Sequence, residues 1–278
     1  MAVVFALLTA VVYGIADYSG GRGSRHASSF TVTFVGQCAG FFAVLLLALF
    51  LGDPVPSGHD LFISAAAGVA GSLGLLGFYR AMASGSMTIV APITALVGTT
   101  IPVVWGLVEG ERPGLVAYIG MVVAVFAVVL VTDALGVQDK RTPVNIVALA
   151  VLAGACFATI FIAFDHVSDD AGLWPLVALR SVSLPLVAVV VFAAKKPFRT
   201  HGVATRWALI SGVLDSAANG FYLIAARHGL LSVVAVIASL YPVSTLVLAT
   251  SLDKEKLHPA QWAGVGLALV ALVLVSAG

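Results

Sequence analysis

Charge is what this 278-residue chain has least of. Asp, Glu, Lys and Arg together make up 10% of it, against about 25% in an ordinary soluble domain. Hydrophobic residues reach 60% and the mean hydropathy is +1.09, more apolar surface than a soluble fold can hide, so hydrocarbon is the main solvent. A formal net charge of +1 leaves no electrostatic case for a nucleic-acid partner. Cysteine is almost missing: Cys38 and Cys156 sit singly inside apolar runs, which reads as two small buried residues rather than a disulfide or a metal site. The six histidines (His26, His59, His166, His201, His228 and His258) fall in or beside polar breaks, without zinc-ligand spacing. No metal and no cofactor is therefore expected.

Enzyme signatures are missing too. There is no P-loop, no HExxH and no CxxC. Gly71-Ser-Leu-Gly74-Leu-Leu-Gly77 has closely spaced glycines, but it lies within an apolar run and follows no strand. It reads as a helix-packing face, as do Gly36-Gln-Cys-Ala-Gly40 and Gly106-Leu-Val-Glu-Gly110. The chain is not expected to be an enzyme, and transport without a nucleotide site has to run on a gradient.

What the chain does have is long apolar runs. A span needs about 20 mostly apolar residues, and runs lie near 2–21, 29–51, 61–82, 87–108, 114–132, 144–164, 173–194, 205–226, 232–252 and 260–277. The first lacks the basic start of a signal peptide and has a counterpart later in the chain, so it reads as a span. Continuous runs predict helices rather than a barrel, whose strands alternate over about 10 residues. The predicted fold is an all-α membrane protein of about ten transmembrane helices.

The chain also repeats itself. Gly77-Phe-Tyr79 recurs as Gly220-Phe-Tyr222, an offset of 143 residues. Val90-Ala-Pro-Ile-Thr-Ala-Leu96 recurs as Val234-Ala-Val-Ile-Ala-Ser-Leu240 at 144, and the same 144 carries Gly85 to Gly229 and Gly120 to Gly264. Each half holds five spans, an odd number, so the second half enters the membrane in the opposite sense. Two inverted five-helix repeats, 1–136 and 137–278, are expected, with a substrate site near the midplane between them.

The Val90–Leu96 stretch, its echo at 234–240, and the pairs Glu111-Arg112 and Glu255-Lys256 closing those spans resemble the drug/metabolite transporter superfamily, specifically its ten-helix EamA-type members. Tyr241-Pro242 is similar to that family's proline in span nine; the first half has Val97-Gly98 at the matching place. The resemblance covers essentially the whole chain. It implies a secondary transporter in the inner (plasma) membrane, an exporter of small polar metabolites such as amino acids or nucleosides, working by alternating access. The competing expectation is a non-transporting membrane subunit that binds a partner protein. The bilayer and a small-molecule substrate are the expected partners, and a monomer or a homodimer the expected state. Ten Lys and Arg flank the odd-numbered loops and two the even-numbered ones. By the positive-inside rule both termini lie outside, whereas the resemblance implies both inside; the charge count carries the expectation.

Charges within the runs are the candidate functional residues, since each costs about 2.5–3.5 kcal/mol at a span centre. Asp17 and Arg80 approach the odd-loop face and are expected to pair in the first half. Arg180 and Asp215 lie deeper and are expected to pair in the second. Gln37, Tyr79, Asn219, Tyr222 and Tyr241 surround them as candidate substrate-binding or gating groups, with Tyr13 and Ser72 in reach. At offset 143 Gln37 matches Arg180 and Ser72 matches Asp215, so both halves put polar groups at corresponding depths. A carboxylate in hydrocarbon favours its protonated form, making Asp215 first and Asp17 second as candidates for proton coupling. Glu111 and Glu255 are expected to hold helix ends.

Overall fold

In a bilayer no water satisfies the backbone, so each apolar run must close its hydrogen bonds within itself. The computed structural model describes residues 1–84, 87–131, 143–254 and 258–277, with the side chains at 79, 82–84, 87–89, 91 and 92 left aside. Among these residues the chain forms α1 (Ala2–Ser24), α2 (Ser29–Leu51), α3 (Gly58–Ser84), α4 (Met87–Val108), α5 (Leu115–Val131), α6 (Val144–Asp165), α7 (Trp174–Ala193), α8 (Val203–Ala226), α9 (Leu231–Ala238), α10 (Tyr241–Asp253) and α11 (Pro259–Ala277), with a short 3-10 turn at Asp169–Ala171. Eight segments are long and apolar enough to cross a membrane, counting Leu231–Asp253 as one, and the apolar stretches Ile93–Val108 and Leu115–Val131 are shorter. Ten spans result, as the apolar runs predict. The division at 136/137 falls among residues 132–142, outside the described ones.

Span nine departs from the expectation of one continuous helix over 232–252. It breaks at Ser239–Leu240 into α9 and α10. Pro242 has no N–H to give the carbonyl of residue 238, and its ring crowds that turn. The chain tightens there, with Leu240 N donating to the Ile237 carbonyl (3.2 Å), and the Ser239 hydroxyl donates to the Val236 carbonyl (2.7 Å). In the matching place α4 runs unbroken through Val97 and Gly98.

The inverted repeat is visible in the packing. α1 packs on α8 and α2, α9 and α10 on α1, and α2 on α8; correspondingly α6 packs on α3, α4 on α6, and α7 on α3. The pairs α2–α7, α4–α9 and α5–α11 join the halves. A Cβ on Gly120 would lie 2.7 Å from the Val275 nitrogen, and one on Gly264, its mate at offset 144, would lie 2.7 Å from the Val131 nitrogen. Small residues let these backbones touch where no hydrophobic force draws helices together in lipid. The Gly36–Gly40 face does the same, its backbone lying directly against Gly212 of α8. Cys38 and Cys156 are free, and half-buried rather than fully enclosed.

Candidate functional site

The depth and direction of each site residue follow from the helix that carries it. On α1 the exposed Val4, Leu8 and Val11 mark the lipid-facing stripe. Asp17 is nine residues from Leu8, about two and a half turns, and so on the opposite, inner face. That inner face reads Ala6, Ala10, Tyr13, Asp17 at helical spacing: the alanines are buried, Tyr13 half-buried and Asp17 exposed. An inward face that changes from buried to exposed toward the odd-loop end lines a cleft that widens in that direction. Span nine agrees, because all of α9 but one residue is buried and none of α10 is.

Five helices bring polar groups to the floor of this cleft. Arg180 of α7 forms an ion pair with Asp215 of α8. The guanidinium side chain is 9% exposed and the Asp215 side chain 39%, so the acid faces the open space and the base lies behind it. Asn219, one turn on, donates from Nδ2 to the Asp215 carbonyl at 2.8 Å. Gln37 of α2 accepts from the Ser183 hydroxyl of α7 at 3.0 Å, one turn past Arg180. Tyr13 of α1 meets Tyr241 of α10 edge to face, with ring centroids 6.2 Å apart. That contact is set where α1 crosses α10: Gly14 lies against Ser244 and Tyr241, and the Thr245 hydroxyl donates to the Gly14 carbonyl at 3.2 Å. The break before Pro242 places Tyr241 at the first turn of α10, at the depth of Tyr13.

The structure brings Asp17, Gln37, Arg180, Asp215, Asn219 and Tyr241 to one region and leaves Arg80 and Tyr222 out of it. Arg80 does not pair with Asp17. It continues the exposed stripe of Phe62, Val69, Leu73 and Leu76 on α3, facing lipid, where a long basic side chain reaches along the helix toward the interface. Tyr222 is fully enclosed, with the Phe161 ring 4.5 Å from its own, and belongs to the packed floor rather than to the wall. The side chain of Tyr79 lies outside the described residues. Ser72 is buried and donates to the Gly68 carbonyl of its own helix at 2.8 Å, so Gln37 and Ser72, at the positions matching Arg180 and Asp215, form no such pair.

Sequence reasoning missed the seal on the even-loop face. Asp60 accepts from the Ser168 hydroxyl and N–H, and Asp53 from the Leu173 N–H, tying the α2–α3 loop to the α6–α7 loop. Arg227 donates to the Ser168 and Gly172 carbonyls. The Glu111 carboxylate accepts from the N–H groups of Leu231 and Ser232, capping α9 across the two halves; an anion is favoured at that helix end. Glu255 lies outside the described residues. An open hollow of about 530 Å³ lined by Asp60, Asp165, His166 and Ser168, among others, belongs to this seal and is remote from the central cleft. Glu111 holds a helix end as expected, at the start of α9; nothing in the sequence singles out the other residues, because polar groups in loops are the ordinary case.

His166 adds a titratable element to the seal. Its Nδ1 lies 2.9 Å from the Ile162 carbonyl and its Nε2 2.9 Å from Glu109 Oε1. Both partners are acceptors, so only the doubly protonated ring satisfies both. Burial opposes that charge, but the Ile162 carbonyl, Glu109 and the nearby Asp165 outweigh it and raise the group above its ordinary 6.5. The contribution of this contact is therefore full below pH 6.5 and fades as pH rises through the raised value. We expect loop 4 and loop 6 to exchange amide hydrogens faster above that value, and Glu109→Gln to flatten the pH dependence. Exchange with the same pH profile in both proteins would refute the contact's role.

The sequence pattern of the EamA-like transporter family matches residues 1–133 and again residues 144–277. None of the curated proteins matches the chain. One solved structure, described only as a crystal structure of a protein, is 13% identical over 99% of this chain and 98% of its own, with a TM-score of 0.81. At that identity the likeness shows the fold alone.

Proposed function

The chain belongs to the EamA-like transporter family, and from that premise we propose that it is a secondary transporter of small polar metabolites such as amino acids, exporting them across the inner (plasma) membrane by alternating access. The observation that carries this reading is the polar cleft: open along α1 and α10 toward the odd-loop face, floored by an ion pair, and sealed beneath by loops 2, 4, 6 and 8. A cleft open to one face and closed to the other is one of the two states that alternating access needs, and the inverted repeat supplies the means of exchanging them. Under the positive-inside rule the basic odd-loop face is cytoplasmic, so the conformation receives substrate from within. Because Asp215 is already engaged by Arg180, proton coupling is better assigned to Asp17, which has no cation in ion-pair distance among the described residues.

The test is flux of labelled amino acids and nucleosides in proteoliposomes, with and without an imposed pH gradient. Saturable flux of at least one member is expected, abolished by Arg180→Gln and accelerated by the gradient in the wild type but not in Asp17→Asn. Flux indifferent to the gradient would remove the proton. No flux of any compound would favour a non-transporting subunit.

A further inference from the structure

Charge in the cleft is not balanced toward the open space. Its basic group, Arg180, sits behind Asp215 with its side chain 9% exposed, while the Asp215 side chain is 39% exposed and already neutralises it. Asp17 is exposed on the inner face of α1 with no ion pair or hydrogen bond among the described residues. Of the bases on α1 and α3 near this cleft, Arg22 and Arg25 both bind Asp253 at the mouth and Arg80 lies on the lipid-facing stripe of α3. Lys195, Lys196, Arg199, Arg206 and Lys254 are exposed in or beside the loops outside the cleft. Past the basic loops, what an incoming molecule meets inside the cleft is the uncompensated charge of Asp17. Beside it stand two aromatic rings, since Tyr13 is one turn from Asp17 on the same face and packs against Tyr241. A carboxylate flanked by tyrosine rings recognises a positive charge twice over, by direct attraction and through the ring faces. An anionic substrate would meet repulsion, and the Arg180 guanidinium is already engaged.

We infer that the substrate is an organic cation, or carries a cationic ammonium or guanidinium group, and that this group binds at Asp17 beside the packed rings of Tyr13 and Tyr241. The inference rests on the transport reading above and narrows its substrate to one charge class. Asp215 faces the same space from α8, paired with Arg180, which acts behind it as a positioning residue that keeps the carboxylate aimed at the cleft.

The experiment is exchange in proteoliposomes at equal pH on both sides. The panel comprises arginine, putrescine and choline as cations, leucine and glycine betaine as zwitterions, glutamate as an anion and uridine as a neutral compound. Cations are expected to exchange fastest, and Asp17→Asn to slow them about tenfold or more, equivalent to the loss of one partly desolvated charge contact. Asp17→Glu should retain the cation preference. Asp17→Asn elutes in the same monodisperse peak as the wild type if the change is local; should it aggregate, Tyr241→Leu provides the second variant, slowing cations more than neutral compounds. Exchange confined to glutamate or uridine, or cation exchange indifferent to Asp17→Asn and Tyr241→Leu, would overturn the assignment and leave transport standing. Silence across the whole panel would overturn the transport reading and this inference with it.

Discussion

Adding one methyl group at Gly212 is expected to unfold the bundle more effectively than removing any single polar group from it. A Cβ there would run into the carbonyl oxygen, carbonyl carbon and Cα of Gly36. All three are backbone atoms, so no rotamer change relieves the overlap, and α2 and α8 must move apart. These helices carry Gln37 on one side and Asp215 and Asn219 on the other, so separation dismantles the cleft as well as the packing. Overpacking of a tight contact costs about 1–3 kcal/mol when side chains can adapt; with backbone on both sides the cost is expected at about 3 kcal/mol or above. Gly212→Ala should therefore lower the melting temperature in detergent sharply and abolish flux. Gly266→Ala, on α11 with open space around it, is the matched control. It should melt at or above the wild-type temperature, because alanine relieves glycine's conformational freedom in the unfolded chain by about 0.5–1 kcal/mol. Equal melting of the two variants would show that α2 and α8 do not cross as closely as described.

Asp215→Ala is expected to have the second-largest effect, for an electrostatic reason. It leaves the Arg180 guanidinium, 9% exposed, without a counter-charge. Breaking a buried pair by removing one partner costs about 3–5 kcal/mol, whereas replacing both with apolar groups is often neutral. The lower end, about 3 kcal/mol, applies here because the Asp215 side chain is 39% exposed and the cleft's water already screens it. Arg180→Met combined with Asp215→Ala should regain most of the stability, and the cycle of single and double variants gives the coupling directly. Flux should stay lost in the double variant, since both the carboxylate and its support have gone. A double variant as unstable as Asp215→Ala would mean that the pair contributes packing rather than charge.

The two cases differ in how much the sequence disclosed of them. Arg180 and Asp215 stand out in the sequence because a charge within an apolar run is rare and expensive, and their positions in antiparallel neighbouring spans put both near the same depth. The Asp17–Arg80 couple rested on the same logic of depth and failed on direction. Depth follows from counting residues, but direction around the helix depends on which face the neighbours cover, and α3 turns Arg80 to lipid while α1 turns Asp17 inward. Tyr222 misled for a related reason: an aromatic with a hydroxyl suits a wall or a floor, and only Phe161 and Phe164 packed against it decide for the floor.

The composition, the run lengths and the constant offset of 143–144 residues were enough to determine a ten-span helical membrane protein of two inverted repeats, because burial in hydrocarbon and the length of a helical span are properties of local sequence. The break in span nine was half legible, since Pro242 announces it but not its exact turn. The opening of the cleft toward one face and the seal on the other were decided by tertiary structure alone. Apart from Glu111, which the sequence marks as holding a helix end, Asp53, Asp60, Glu109, Ser168 and Arg227 are polar residues in or beside loops, unremarkable one by one. They become a seal because helix packing brings loops 2, 4, 6 and 8 to one end of the bundle, where hydrogen-bond geometry, which sequence does not encode residue by residue, pairs them across 55 to 121 positions of chain.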